Sequence, residues 1–177
     1  MCLYRRALGA AFECLPPVLQ AFHQSPGGNG IRAVAQGRMQ ITHGSGWFRR
    51  TLAVLLRLPQ AGENVPVTLQ IESHGGKERW VRQLGTQRLV TWQWLEQNSL
   101  MESAGLLRFG FQLDADTEGM RFISRKCWLL SVPLPPALAP RVTAQVRGAA
   151  QGWWLTVCLD VPGVGRLLSY EGELRPT

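Results

Sequence analysis

The side chains of this sequence with the most suggestive chemistry are aromatic. The chain has seven tryptophans and six phenylalanines, most of them in segments where apolar and polar residues alternate. Ligand-binding pockets are mostly apolar, with a few polar groups that orient the ligand. The alternative is that these rings pack the core of the fold, where each buries about 150–250 Å². We predict that one set of them lines a binding cavity: Trp92, Trp94, Phe109, Phe111, Trp128, Trp153 and Trp154.

Three arginines in the same part of the chain, Arg108, Arg125 and Arg141, are candidates for the polar end of such a cavity. A guanidinium group binds a carboxylate in a forked, two-point geometry, so these residues suit an acidic ligand group. Glu102 and Glu171 are expected to orient them. The alternative is that the arginines form surface ion pairs, which contribute under about 1 kcal/mol each.

Motifs for catalysis and for metal binding are absent from the sequence. The chain contains no Gly-x-Ser-x-Gly, phosphate-loop or His-Glu-x-x-His pattern. Its four cysteines and three histidines lack the paired spacings of zinc ligands. We therefore predict no catalytic residue, no metal and no cofactor, and we expect free thiols in a reducing compartment. Asp114-Ala115-Asp116, which resembles a carboxylate pair, is interpreted as a polar turn before Gly119.

A second candidate surface is the basic segment Trp47 to Leu58, which is predicted to be a helix with one apolar side. Trp47, Phe48, Arg49 and Arg50 are its candidates for contact with a partner or a membrane. Such a helix suits the surface of an anionic bilayer, a lid over the mouth of a curved sheet, or ordinary packing. We favour packing, and membrane contact is the least favoured of the three.

Apolar periodicity predicts the elements that must position these side chains. Between Leu3 and Phe22 the apolar residues recur at helical spacing, and Pro16-Pro17 divides this stretch into two helices. Ile31 to Thr42 is predicted to be a strand, with a bulge at Gly37. From Val65 the period changes to two, which indicates about eight strands at roughly 10-residue spacing in total.

Successive short strands with turn residues between them favour an antiparallel sheet that curls or closes. The predicted fold class is α+β and mostly β: a strongly curved antiparallel sheet or incomplete β-barrel with two helices of the N-terminal region packed on it. We expect one domain over residues 1–177, with the N-terminal helices in 1–24, a strand and the basic helix in 31–59, and antiparallel strands in 65–175.

The net charge of +7 is concentrated near the N-terminus, where residues 1–59 carry seven arginines and one acid. A basic surface attracts nucleic acids, anionic lipids and acidic proteins alike. Specific nucleic-acid binding also needs an element that contacts the bases, and the sequence shows none, so we predict no specific nucleic-acid partner. Because no apolar run reaches the roughly 18 to 20 residues of a membrane span, we expect a cytoplasmic protein.

One series of short motifs extends over nearly the whole chain. It includes Gly62–Val67, Glu78–Trp80, Leu107–Phe109, Pro133–Pro135 and Gly165–Leu168. The series resembles the bacterial family named Domain of Unknown Function 4166. No activity is established for that family, so the resemblance implies no catalytic residues. Members are also fused to oxidoreductase-like domains of the saccharopine dehydrogenase type, which implies an oxidoreductase domain as a partner.

Together these observations favour a non-enzymatic domain that binds a hydrophobic or amphipathic small molecule in a cavity of the curved sheet and serves an oxidoreductase partner. Two alternatives stay open. One is a small-barrel enzyme that uses a buried carboxylate as its base, for which a raised carboxyl pKa inside an apolar pocket would be the sign. The other is an interaction module that docks through its basic helices.

Overall fold

A computed structural model describes residues 2–24, 30–47, 49, 51 and 58–177. The chain opens with helix α1, then a 3-10 helix, then helix α2; they span Leu3–Leu8, Gly9–Cys14 and Pro17–Gln24. The remainder of the described chain is dominated by strands: β1 (Gly30–His43), β2 (Gly62–His74), β3 (Lys77–Leu84), β4 (Gln87–Glu96), β5 (Ser99–Ala104), β6 (Leu107–Ala115), β7 (Gly119–Leu129), β8 (Val132–Pro133), β9 (Arg141–Ala149), β10 (Gly152–Val161) and β11 (Gly165–Pro176).

Ten of these strands form a closed antiparallel barrel. Neighbours along the chain pair with one another from β1 to β7, then β7 pairs with β9, and β11 returns to pair with β1. The pairing of β6 with β7 closes the sheet, while β8 lies outside the barrel on β7. The predicted fold class is confirmed, and the barrel is complete. The expected number of about eight strands is too low, because short strands such as β5 and β8 show little alternation.

Side chains of the barrel divide into an inner and an outer set. Residues directly opposite one another on paired strands share a face, so the register assigns Ile71, Trp80 and Thr91 to one face. All three are buried, which identifies that face as the interior. Alternate residues of each strand point the other way. The same rule places Trp92 and Trp94 on the outside of β4.

The helices of the N-terminal region close one end of the barrel. Tyr4, Phe12, Leu19 and Phe22 are buried among strand residues. The ring centroid of Phe22 lies 4.5 Å from that of Trp153 on β10. We call this end the helix end; it includes the turns β2–β3, β4–β5, β6–β7 and β9–β10. The opposite end, with the turns β3–β4, β5–β6 and β10–β11, is called the far end.

The bulge predicted at Gly37 is not observed. Ala35, Gly37, Met39 and Ile41 alternate regularly on the inner face, and the register shifts of β1 lie on either side, between Ile31 and Ala33 and between Met39 and Ile41. Gly37 has a different role. A Cβ atom at this position would overlap the backbone carbonyl of Glu173, so the residue permits close approach of β1 and β11.

Two smaller predictions are confirmed. The Asp114–Asp116 segment ends in a polar turn, in which Asp116 Oδ1 accepts hydrogen bonds from the backbone N–H groups of Glu118 and Gly119 at 2.8 and 3.0 Å. All four cysteines are free thiols. Within the described segments, no helix has the length and apolar character needed to cross a bilayer.

Candidate functional site

Polar side chains occupy the middle of the barrel interior. Arg82 on β3, Thr91 and Gln93 on β4, and Glu102 on β5 all lie on the inner face, because Gln93 is opposite Glu102 and Trp80 is opposite Thr91. Polar groups in such a position require partners, since a buried polar group without a hydrogen bond is costly. These three neighbouring strands therefore bring one set of polar residues together.

The central contact of this set is an ion pair. Arg82 Nη1 lies 3.4 Å from Glu102 Oε1 and donates to Thr91 Oγ1 at 2.9 Å. Gln93 Nε2 donates to the other carboxylate oxygen, Glu102 Oε2, at 3.1 Å. Burial acts to lower the pKa of Arg82, but the charge of Glu102 and the nearby tyrosines outweigh it, so this pKa is raised. The guanidinium therefore remains charged inside the barrel.

Two tyrosines lie near the ion pair. Tyr4 of α1 donates from its hydroxyl to Gln93 Oε1 at 2.7 Å, and burial raises its pKa well above the usual value. Burial also raises the pKa of Tyr170 on β11, whose hydroxyl is close enough to feel the charges of Arg82 and Glu102. Both phenols therefore stay protonated at neutral pH. In the part of the chain that the structure describes, only the Tyr4 hydroxyl has a hydrogen-bond partner.

Two of these interior groups are partly exposed to solvent. The side chains of Arg82 and Glu102 are 15 % and 16 % exposed, although both lie in mid-barrel on the inner face. Inner-face residues of β9 and β10, such as Ala144 and Val157, are also only half-buried. A barrel of about eight strands has an interior that side chains just fill, so ten strands enclose more room. Solvent therefore reaches the charged pair inside the barrel.

A second buried cluster lies at the helix end. Arg32 Nη2 is 3.0 Å from Glu78 Oε1, and Trp80 Nε1 donates to Glu78 Oε2 at 3.0 Å. Arg32 Nη1 donates to the carbonyl oxygen of His23 at the end of α2, at 2.6 Å. Burial raises the pKa of Glu78 and lowers that of His23 to about 3. Both side chains of the ion pair are almost fully buried, so this cluster fastens α2 to the barrel.

The structure separates the predicted cavity-lining aromatics into two groups. Phe109 and Phe111 lie inside the barrel and are buried, and Trp153 also faces inward. Trp92, Trp94, Trp128 and Trp154 lie on the outer face, where a ligand in the interior would not reach them. On β4 the outer positions are more apolar than the inner ones. The alternation alone therefore indicated, wrongly, that Trp92 and Trp94 face the interior.

The three predicted arginines also lie on the outside. Arg108 packs over the Trp128 ring, with its guanidinium carbon 4.6 Å from the ring centroid. Arg125 Nε donates to Gln112 Oε1 at 2.9 Å, and Arg141 is opposite Asp160. The expectation that Glu102 orients these arginines is wrong, because Glu102 faces the interior and contacts Arg82.

Outer grooves bring some of the predicted residues together. A groove of about 350 Å³ over β5, β6 and β7 is lined in part by Arg125 and Trp128. A second groove, of about 770 Å³, lies over β1 and β11 and includes Trp154 and Glu171. Glu171 therefore lies on β11, in a different groove from the arginines that it was expected to orient. Whether any of these residues binds a ligand stays a prediction.

Sequence analysis missed Arg82 and Gln93 as interior residues, and it assigned Glu102 to other arginines. Arg82, Gln93 and Glu102 each occupy the middle of a strand, on successive strands, and this was the available signal. Their common face becomes evident only from the register between β3, β4 and β5. Tyr4 and Tyr170 gave no local signal, since their positions depend on how the helices and the last strand close the barrel.

The basic segment is described only in part. Phe48, Arg50 and residues 52–57 lie outside the described residues, and with them most of the predicted basic helix. Trp47 is 78 % exposed. Arg49 Nε donates to the carbonyl oxygen of Val164 at 2.8 Å and so connects this segment to the β10–β11 turn. Among the described side chains, no group of three His, Cys, Asp or Glu residues is arranged to hold a metal ion.

Comparison with known proteins gives one match. The family model for a domain of unknown function (DUF4166) matches residues 15–174. The chain belongs to the DUF4166 family. No curated protein matches the chain, and no solved structure does. The matched range begins at the end of the 3-10 helix and extends to β11, so this DUF4166 barrel and helix α2 are included in it.

Proposed function

We propose that this DUF4166 domain binds a hydrophobic or amphipathic small molecule inside its barrel. The observation that carries the proposal is the partial exposure of Arg82 and Glu102 on the inner face. A binding pocket combines a mostly apolar lining with a few polar groups. The interior has this composition, since the apolar residues Leu89 and Phe109 lie opposite Arg82 and Glu102 on the inner face.

The charge balance of the interior indicates which polar group such a ligand would carry. Glu102 already compensates Arg82, so an anionic ligand group would meet no excess positive charge there. The Arg82 hydrogen bonds in the described chain both leave from Nη1, and Tyr170 contributes a protonated hydroxyl. These donors suit a neutral acceptor such as a carbonyl or hydroxyl oxygen. The predicted ligand therefore has an apolar body with one neutral polar end.

The binding proposal is tested with native mass spectrometry and a fluorescent probe. The purified protein is examined for a co-purified organic molecule, and binding of N-phenyl-1-naphthylamine, a neutral apolar fluorophore, is titrated. Ala144→Trp fills the interior from β9 and is expected to weaken probe binding at least tenfold. Thr143→Trp is the matched control, because the adjacent residue is exposed on the outer face. Equal probe affinity in the two variants would contradict the proposal.

The partner that we propose for the loaded barrel is an oxidoreductase domain. What supports it is membership of the DUF4166 family, together with the resemblance-based expectation that such domains are fused to oxidoreductases. Co-expression with a saccharopine dehydrogenase-like domain and affinity capture would test this. Failure to recover a complex at micromolar concentrations would remove the partner and leave ligand binding untouched.

A second candidate function is catalysis by a buried carboxylate. The observation in its favour is Glu78, an interior carboxyl whose pKa burial raises, as expected for a general base or acid. Its two oxygens are bound by Arg32 and Trp80, so a substrate would have to displace one of them. Turnover of a candidate substrate that is abolished in Glu78→Gln and retained in Glu72→Gln would favour the enzyme.

A further inference from the structure

The far end of the barrel exposes a set of large apolar side chains. Each of four residues in the β5–β6 turn and the β7–β9 connection is between 63 and 67 % exposed, and a fifth, at the end of β7, is 40 % exposed. We call this set the apolar tip: Leu106, Leu129, Leu130, Val132 and Leu138. Single exposed apolar residues are ordinary, but a group of them on one surface marks a binding surface.

The apolar tip is held together by backbone hydrogen bonds. The N–H of Leu130 donates to the carbonyl oxygen of Leu106 at 3.0 Å, which joins the two loops. Val132 pairs with Leu129 in the short strand β8. The N–H of Leu138 donates to the carbonyl oxygen of Pro135 at 2.9 Å. The leucines therefore project from an ordered backbone.

The backbone at the apolar tip is unusual for its residue types. Leu130 and Ser131 have φ angles of 50° and 71°, in the left-handed region that favours Gly, Asn and Asp. A leucine in this region has a strained backbone, and no burial of the Leu130 side chain offsets the strain, since that side chain is 67 % exposed. Such local strain is typical of functional positions.

Most charges around the apolar tip are positive. Residues 129–140 contain no charged side chain, and residues 119–159 contain five cations and no acid. Arg108 on β6 and Arg141 on β9 lie beside the tip, and Lys126 precedes Leu129 by three residues on β7. Asp160, opposite Arg141 on the neighbouring strand, already pairs with Arg166 at 2.7 Å. An uncharged apolar surface is thus bordered by cations.

We propose that the apolar tip docks on the surface of an anionic lipid bilayer. The leucines would enter the boundary between head groups and acyl chains, and the bordering cations would contact lipid phosphates, as in interfacial membrane anchors. Trp47, a residue type enriched at that boundary, lies exposed at the same end of the barrel. The inference does not depend on the proposed ligand, although docking here would turn the end opposite the N-terminal helices toward the lipid.

The test is sedimentation with vesicles of phosphatidylcholine alone or with 30 % phosphatidylglycerol, at low and high salt. The wild type is expected to bind the anionic vesicles at least tenfold better, and 0.5 M salt should weaken that binding. The double variant Leu130→Asn, Leu138→Ser should lose binding at least tenfold. Asn tolerates the φ angle of position 130, so the variant is expected to remain folded.

Two measurements keep the result interpretable. Ile31→Ser is the matched control, because Ile31 is 65 % exposed at the helix end, and its vesicle binding should equal that of the wild type. N-phenyl-1-naphthylamine affinity should be unchanged in the tip variant, which separates this proposal from the interior site. Equal binding to neutral vesicles, or unchanged binding of the double variant, would overturn the proposal. So would a wild-type dimer that the double variant converts to monomer, since the apolar tip would then bind a second copy.

Discussion

Arg82 and Glu102 meet inside the barrel, with Nη1 of the guanidinium 3.4 Å from Oε1 of the carboxylate, although β4 lies between their strands. Thr91 and Gln93, on the intervening strand β4, bind the two partners: Thr91 accepts a hydrogen bond from Arg82, and Gln93 donates one to Glu102. A charged pair at this depth requires that both partners be present, because removal of one leaves the other charge in the interior. It is therefore the natural position for a first set of variants.

Removal of the Arg82 guanidinium is expected to destabilise the fold. In Arg82→Met, Glu102 would lose its cation and Thr91 its donor, and hydrogen bonds to charged groups contribute about 1.5–3 kcal/mol. Arg79→Met is the control, because its pair with Glu72 lies on the half-exposed outer surface and is worth at most about 1 kcal/mol. Urea denaturation measures both. An equal loss of unfolding free energy in the two variants would show that the interior pair has no special role.

The hydroxyl of Tyr4 is expected to contribute more to stability than that of Tyr170. Tyr4→Phe leaves the buried Gln93 oxygen without its donor, a loss of about 1–3 kcal/mol. Tyr170→Phe removes a hydroxyl for which the described chain provides no partner, so its unfolding free energy should change by less than about 0.5 kcal/mol. Thermal or chemical unfolding of the two variants measures the difference. A larger loss of unfolding free energy in Tyr170→Phe than in Tyr4→Phe would contradict this prediction.

Stability is expected to fall below pH 6.5 because of His23. Burial first, and the charge of Arg32 second, lower its folded-state pKa from 6.5 to about 3. Between these values the unfolded chain takes up a proton that the folded chain does not, and the loss approaches about 1.4 kcal/mol per pH unit. His23→Gln lacks this loss and keeps the other titrating groups. The difference in unfolding free energy between wild type and variant should therefore change between pH 7 and pH 4.5; a constant difference would refute the assignment.

The close approach of β1 and β11 makes Gly37 sensitive to any side chain. In Gly37→Ala the new Cβ would overlap the Glu173 carbonyl, and overpacking of this kind costs about 1–3 kcal/mol. Gly110→Ala on β6 is the control. Its Cβ would lie 3.4 Å from the Met101 sulfur, an ordinary contact. Circular dichroism melting curves should show a lower unfolding midpoint for Gly37→Ala than for Gly110→Ala. Equal midpoints in the two variants would argue against a close approach of β1 and β11.

Much of the fold could be predicted because its elements are local. The two-residue alternation after Val65 and the Pro16-Pro17 break are both marked by nearby residues, and the structure contains the strands and helices they indicate. Closure of the barrel could not be predicted in this way. It depends on the pairing of β11 with β1, which joins residues far apart in sequence.

The candidate site was predicted less well, for a physical reason. Alternation shows that two faces differ, but which face points inward depends on register and curvature. Trp92 and Trp94 are larger and more apolar than Thr91 and Gln93, yet the polar residues are buried because Arg82, Glu102 and Tyr4 supply their partners. Those partners come from three other elements. Whether a polar residue inside the barrel has hydrogen-bond partners thus depends on the assembled sheet and cannot be deduced from its own strand.

The seam between the first and last strands also governs how the chain can reach its folded state. Hydrogen bonding from Ala35–Pro176 to His43–Leu168 joins residues separated by most of the sequence. Until residues 165–176 leave the ribosome, β1 and β10 each present an unpaired edge, and such edges are templates for association with other chains. Newly made protein is thus vulnerable to aggregation until β11 is available to pair with β1, and a chaperone that shields strand edges would help it most during that interval.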